Sequence, residues 1–319
     1  MIGRVQSACL LVALLAAAGC SAASPTGAGP VRPTARPFAT PTPAPTGPYV
    51  AIGDSYTAGL QLQPSAGGPD GCGRSAVNYP SLVAKDLKLT GGDFTDVSCA
   101  GATTADLTAA QRVDGGANPA QLDRLTPGTR LVTLGIGGND ANFTKVMARC
   151  AEEGVAQALI AALDPRQADA SPCRAFYTSG GTDQLTTLLN TVGDRLAAVL
   201  AEVHRRAPQA RVYVVGYPAL LPADPAPCTA VLGKAVPAGD LAFLAEKEQQ
   251  LNGVLRARAT AAGVGFVDTY TPSAGHDMCA GEAERWVEPP FPAPGRAPLH
   301  PNAAGQQGMA QAVLHTLRG

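Results

Sequence analysis

The sequence predicts an α/β fold, a three-layer α/β/α sandwich with a central five-stranded parallel sheet. Two observations carry this prediction. After a proline-rich stretch, short apolar runs alternate with longer segments whose apolar residues recur every three or four positions, as βαβ units require. The short runs are apolar without helical spacing, as strands buried on both faces are. With 319 residues, 45% of them hydrophobic, the chain can bury a sizeable core, and the folded part reads as one domain.

The elements follow in order. Tyr49 to Ile52 is the first strand and runs into Gly53; Tyr79 to Leu87 has helical spacing; Phe94 to Val97 and Leu131 to Ile136 are the second and third strands. Helices are expected over Asn142 to Cys150 and Asp183 to Arg206, then a strand at Val212 to Val215. A helix over Leu241 to Ala262 and a strand at Gly265 to Val267 complete the sheet. The last helix, Ala303 to Leu317, follows His300-Pro301-Asn302, where Pro near a helix start and Asn as a cap mark a terminus. His300 therefore lies on the loop that feeds this helix. The Gly- and Pro-rich stretches from Pro222 to Asp240 and from Met278 to Pro301 read as surface loops, and long loops often carry function.

The N-terminus reads as an export signal over residues 1–19. Arg4 supplies a charged start, and Ala8 to Ala18 form an apolar run too short to span a bilayer stably. Ala17-Ala18-Gly19-Cys20 resembles the lipobox of bacterial lipoproteins, which implies a lipid on Cys20; an ordinary signal peptide cut near Ala23 is the alternative. Residues 20–48, rich in Pro, Ser, Thr and Gly, cannot bury apolar surface and favour extended conformations, so they form a tether. The folded domain spans residues 49–319. The expected location is the outer face of the bacterial cytoplasmic membrane, held through the lipid anchor, or the medium after secretion.

A net charge of −1 with mixed signs and no cluster of Lys and Arg sets nucleic acid aside as a partner. Beyond Cys9 and Cys20, six cysteines remain, and an even number in an exported protein implies disulfides. Their even distribution makes neighbour pairing the economical choice: Cys72 with Cys99, Cys150 with Cys173, Cys228 with Cys279. Zinc is the alternative, but no cysteines sit at zinc-knuckle spacing and no HExxH helix is present.

Three strand ends carry candidate chemistry. Tyr49-Val-Ala-Ile-Gly-Asp-Ser55 delivers a serine to the carboxyl edge of the sheet, where open α/β folds bind ligands. Val97-Ser-Cys-Ala-Gly101 brings a glycine able to expose its N–H, and Leu134-Gly-Ile-Gly-Gly-Asn-Asp140 brings the side-chain amide of Asn139. Each alone has the composition of a simple turn. Together they place one hydroxyl, exposed backbone donors and one amide on a single edge, the minimum for nucleophilic attack with oxyanion stabilisation. Of four histidines, His204 and His315 sit inside expected amphipathic helices. His276 lies beside a half-cystine, and His300 in Pro298-Leu-His-Pro-Asn302 has the better placement for a base.

These blocks resemble those of the SGNH hydrolase (GDSL esterase and lipase) superfamily, from about Tyr49 to the C-terminus. The resemblance implies a flavodoxin-like sheet, Ser55 as nucleophile and His300 as base. It also implies an oxyanion hole from Ser55, Gly101 and Asn139. Phe94-Thr-Asp-Val-Ser-Cys-Ala-Gly-Ala-Thr-Thr104 and Gly275-His-Asp-Met-Cys279 are similar to stretches of the secreted actinobacterial members, whose three sequential disulfides imply the same pairing. Asp54 and Asp140 are read as loop-fixing residues rather than acids.

One position departs from the pattern. Three residues before His300 the family's Asp is replaced by Ala297, so the carboxylate that orients the imidazole is missing from its place. The wrong tautomer cannot accept the serine proton, and in a Ser-His-Asp triad an Asp-to-Asn change costs about 10⁴ in turnover. A backbone carbonyl can select the tautomer instead. The expectation is the carbonyl of Ala297 in a Ser-His dyad, with Asp277 or Asp268 as alternative sources of charge. The expected activity is hydrolysis of carboxylic esters of lipids or small acyl esters by a monomer, with no metal or cofactor. The rival readings are a carbohydrate O-acetyl esterase on the same fold and a non-catalytic lipoprotein binding module.

Overall fold

The computed structural model describes residues 47–319, apart from 165, 167–169, 225–227 and 234–235. The expected signal peptide, the Cys20 anchor and most of the tether lie outside the described residues. In chain order the elements are β1 (Tyr49–Gly53), α1 (Ser55–Ala58), α2 (Tyr79–Asp86), β2 (Phe94–Asp96), β3 (Gln111–Val113), β4 (Gly116–Asn118), β5 (Leu131–Gly135) and α3 (Phe143–Leu163). They continue with α4 (Pro172–Tyr177), α5 (Gln184–Arg206), β6 (Arg211–Val215), α6 (Cys228–Leu232), α7 (Ala238–Ala261), β7 (Gly265–Val267) and α8 (Ala303–Arg318). Among the described residues no helix is long and apolar enough to cross a membrane.

The five-stranded sheet has the order β2-β1-β5-β6-β7, and every pairing in it is parallel. This is the doubly wound order whose direction reverses at the first strand, with β1 lying between β2 and β5. The three layers follow from the period-two alternation of side chains along each strand. Val50, Ile52, Val132, Leu134, Val212 and Val214 face a cluster with Leu189, Val192, Leu196 and Leu200 of α5 and Leu251 and Leu255 of α7. The alternate residues Tyr49, Ala51, Leu131, Tyr213, Val215 and Val267 face Tyr79 and Val83 of α2 and Met309, Val313 and Leu317 of α8. A strand buried on both faces has few polar positions to spare, which is why these runs read as largely apolar; Thr133, buried in β5, is satisfied by the Tyr49 hydroxyl at 2.7 Å.

The five strands and five principal helices lie where the sequence places them, with three differences. α3 runs to Leu163, well past Cys150; its second half is built of good helix formers, but Val155, Leu159 and Leu163 are exposed there. Their spacing of four is helical, so the extension was open to a periodicity reading even though the stripe it forms is exposed. The short helices α1, α4 and α6 and the antiparallel hairpin β3-β4 are not among the expected elements, being too short for a period to show.

The disulfides join Cys72 to Cys99, Cys150 to Cys173 and Cys228 to Cys279. The first ties the loop after α1 to the strand end after β2, the second ties α3 to α4, and the third ties α6 to the loop before His300. They close segments of 27, 23 and 51 residues, and a cross-link removes more freedom from the unfolded chain the longer the loop it closes.

Candidate active site

The turn that carries Ser55 can be built only on glycine. A Cβ at Gly53 would sit 2.2 Å from Thr57 Oγ1 and 2.5 Å from the Gly135 carbonyl oxygen, inside van der Waals contact. Both main-chain polar groups of Gly53 are held by Gln121, whose Oε1 accepts the N–H at 2.8 Å and whose Nε2 donates to the carbonyl at 2.9 Å. Asp54 then caps α1 by accepting the N–H of Tyr56 at 2.9 Å, which leaves Ser55 at the helix start.

Two neighbouring strand ends are tied to this turn. Cys99 donates its N–H to the Gly53 carbonyl at 3.0 Å, and Gly101 follows with φ +75°, a left-handed conformation that favours glycine. Gln111, on the hairpin, donates to the Ala100 carbonyl at 2.7 Å and fixes this loop. Beyond β5, Asn139 Nδ2 donates to the Ala102 carbonyl at 2.9 Å, which sets the plane of the amide and leaves its second N–H. Asp140 accepts from the N–H and hydroxyl of Thr104, at 2.9 and 2.6 Å, and pairs with Arg195 at 3.2 Å. Asp54 and Asp140 are thus cross-links between loops, as the sequence reading has them.

His300 arrives from the other end of the chain. The bridge between Val287 and Pro301 and the Asn302 cap of α8, which accepts the N–H of Gly305 at 3.0 Å, hold its loop. Its Nε2 lies 2.8 Å from Ser55 Oγ. Its Nδ1 lies 2.6 Å from the carbonyl of Pro298, which corrects the expectation of Ala297. The reason is local: the Ala297 carbonyl accepts the main-chain N–H of His300 itself, at 3.3 Å, so the next carbonyl along is the one that meets the ring. Asp277 and Asp268 are engaged elsewhere, Asp277 with the N–H of Cys279 and Asp268 with Arg256 and Thr271. Among the described residues no carboxylate lies within hydrogen-bond or ion-pair distance of the His300 ring.

The remaining histidines stand apart from Ser55. His276 stacks on Trp286 with 4.8 Å between ring centroids, and its Nδ1 meets the Glu284 carbonyl at 2.5 Å. His204 and His315 are exposed on α5 and α8.

Ser55, Gly101, Asn139 and His300 line one cleft of about 270 Å³, whose apolar wall includes Leu60, Phe143, Met147, Leu220 and Leu251. Burial pushes the His300 imidazole below its usual value, and the Pro298 carbonyl works against that by favouring the charged ring. Asp54 is fully buried, and loss of hydration raises its carboxyl to about 6. Glu248, at the cleft wall, is raised by burial to about 8 while its oxygens accept the N–H groups of Leu220 and Leu221, at 2.7 and 3.4 Å.

Sequence reasoning missed the polar side chains that brace the site. Tyr217 lies two residues past the end of β6 at Val215, and the rule that strand carboxyl ends supply the site would have found it. Gln111, Gln121 and Glu248 lie on a hairpin, a turn and a long helix, and no motif marks them.

A flavodoxin-type sheet with a serine at its first strand end and a histidine on the C-terminal loop defines a hydrolase class. The GDSL-like lipase/acylhydrolase family model matches residues 51–307, and the chain belongs to this family of carboxylic ester hydrolases. It is 38% identical over 274 residues to Lipase 2 of Streptomyces coelicolor, covering 86% of each chain. Among solved structures it is similar to phospholipase A1 from Streptomyces albidoflavus NA297, with a TM-score of 0.66, 28% identity, and 85% of this chain and 99% of that one covered. It is likewise similar to the extracellular lipase of Streptomyces rimosus, with a TM-score of 0.63, 30% identity and coverage of 84% and 98%.

Proposed function

We propose that the protein is a serine esterase or lipase that hydrolyses carboxylic esters of lipids or small acyl groups through an acyl-enzyme on Ser55. The observation that carries this reading is the contact of His300 Nε2 with Ser55 Oγ at 2.8 Å, with Nδ1 against the Pro298 carbonyl at 2.6 Å. A carbonyl only accepts, so Nδ1 carries the proton and Nε2 is the free base. Ser55 Oγ attacks the ester carbonyl as its proton passes to Nε2, and the imidazolium then protonates the departing alcohol. Water repeats the sequence on the acyl-enzyme, with the acid released as product.

The negative oxygen of each tetrahedral intermediate is received by the N–H groups of Ser55 and Gly101 and the free N–H of Asn139, donors already fixed before reaction. Pro298 supplies a dipole where a triad has a charge, so His300 is oriented by geometry and the imidazolium gains less than an ion pair would give. The apolar wall of the cleft supports an aliphatic acyl chain, and the lipase names of the relatives support the same substrate class.

Export, with Cys20 as a lipid anchor and the tether as spacer, is part of the proposal, and the disulfides support an oxidising compartment. Replacing Cys20 by Ala would release an anchored enzyme into the medium. The function itself is tested with p-nitrophenyl esters from acetyl to palmitoyl, comparing wild type with Ser55→Ala. Equal rates would end the esterase reading, and turnover confined to acetyl would end the lipid one.

A further inference from the structure

We propose that Tyr56 is a positioning residue: its hydroxyl latches the loop of His300 to the serine turn and keeps the Pro298 carbonyl aimed at the imidazole. This rests on the reading of His300 as the base for Ser55. When a side-chain carboxylate orients a histidine, rotation about its own bonds sets the geometry. A main-chain carbonyl has no such freedom. The direction of the Pro298 carbonyl is set by the torsions on either side of its peptide, and one of these is φ of Leu299.

Leu299 has φ +60°, a left-handed conformation that is unfavourable for a residue with a Cβ. Such a residue persists only where its surroundings over-determine it. Here three hydrogen bonds pin the segment. The N–H of Leu299 donates to the Glu288 carbonyl at 3.1 Å, and the carbonyl of His300 accepts the N–H of Glu288 at 3.0 Å. The Leu299 carbonyl accepts the Tyr56 hydroxyl at 2.6 Å. The first two bonds anchor the loop's main chain to its neighbouring segment, and the third anchors that main chain to the nucleophile's own turn, where the His300 ring also meets Ser55 Oγ at 2.8 Å.

Tyr56 is itself immobilised. Its N–H donates to Asp54 at 2.9 Å, and its carbonyl accepts from Gln306 at 2.8 Å. Its ring packs edge-on against Tyr217 and at a tilt over His300, each at 5.1 Å between centroids. A rigid phenol one residue after Ser55 thus fixes a strained residue one before His300. Freeing the hydroxyl lets Leu299 relax, which swings the Pro298 carbonyl off Nδ1 and lengthens the approach of Nε2 to Oγ.

The test compares wild type, Tyr56→Phe, Leu299→Gly and the double variant on a p-nitrophenyl ester, with proton NMR of the His300 Nδ1–H. Tyr56→Phe should fold and should lower kcat about 10- to 100-fold, the range a small misplacement of a catalytic group produces, with KM changed less than about threefold. The downfield Nδ1–H signal should weaken or exchange faster. In the Leu299→Gly background the same change should cost less than about threefold, because the latch acts through the strain at Leu299. A Tyr56→Phe enzyme with wild-type kcat and an unchanged Nδ1–H signal would overturn the proposal. So would a full, independent loss in the glycine background. If Ser55→Ala retains the wild-type rate, the reading beneath the proposal fails; if Ser55→Ala is inactive while Tyr56→Phe is normal, only the latch fails.

Discussion

The hydroxyl of Tyr217 donates to the Asp54 carboxylate at 2.5 Å and accepts the N–H of Gly138 at 2.9 Å. One buried phenol therefore joins the turn that carries Ser55 to the loop that carries Asn139. Removing it leaves the half-buried N–H of Gly138 without its acceptor and the buried Asp54 with one donor fewer, a loss of about 1–3 kcal/mol. Tyr217→Phe should lower the melting temperature and reduce kcat, because the proposed oxyanion loop and the proposed nucleophile lose a shared support. Thermal denaturation and steady-state kinetics on the same preparation check both effects, and an unchanged kcat would show that the two loops hold their places independently.

The pH dependence follows from His300. In the proposed mechanism His300 acts as a neutral imidazole base, so kcat/KM rises with pH through its pKa. Burial moves that pKa below 6.5, and the acid limb of the profile should therefore lie below 6.5. Asp54, at about 6, titrates nearby, so the profile should also be measured on Asp54→Asn. A limb above 6.5 in both enzymes would contradict the desolvated site.

Glu248 gives stability a pH dependence of opposite sense to that of an ordinary ion-paired carboxylate. Its folded pKa is raised from 4.5 to about 8, so the folded state binds a proton that the unfolded state releases. Stability is fully present below the unfolded value and falls as pH rises toward 8, by something on the order of 5 kcal/mol at 1.4 kcal/mol per unit. Asp54, raised from 3.8 to about 6, adds a smaller fall at lower pH. Denaturant melts of wild type and Glu248→Gln at pH 5 and pH 8 should show a steeper loss in wild type; parallel losses would mean that Glu248 is ionised at little cost.

The sheet was legible because the central strands β1, β5 and β6 are short, mostly apolar runs without helical spacing, bounded by glycine. The same punctuation marked the site: Gly53 and Gly135 end β1 and β5 and Gly101 lies in the loop that follows β2, and ligands of open α/β sheets gather at those ends. What escaped was set by contacts between distant segments. Nothing local distinguishes Gln121, 68 residues from the glycine it clasps; the position of Tyr217 past a strand end was readable, but not its bond to Asp54, 163 residues away. The substitution of Pro298 for Ala297 is a matter of one peptide's direction. A left-handed Leu299 turns it, and no propensity scale anticipates a leucine there.

The central claim is that Ser55 is a nucleophile activated by His300, and covalent trapping tests it most directly. A fluorophosphonate should react as Ser55 Oγ attacks phosphorus, fluoride leaves and His300 takes the serine proton. Mass spectrometry should find one phosphonyl group per chain on the peptide containing Ser55, with labelling lost in Ser55→Ala and slowed at least about 100-fold in His300→Ala. Labelling of another residue, or equal labelling of wild type and His300→Ala, would contradict the account.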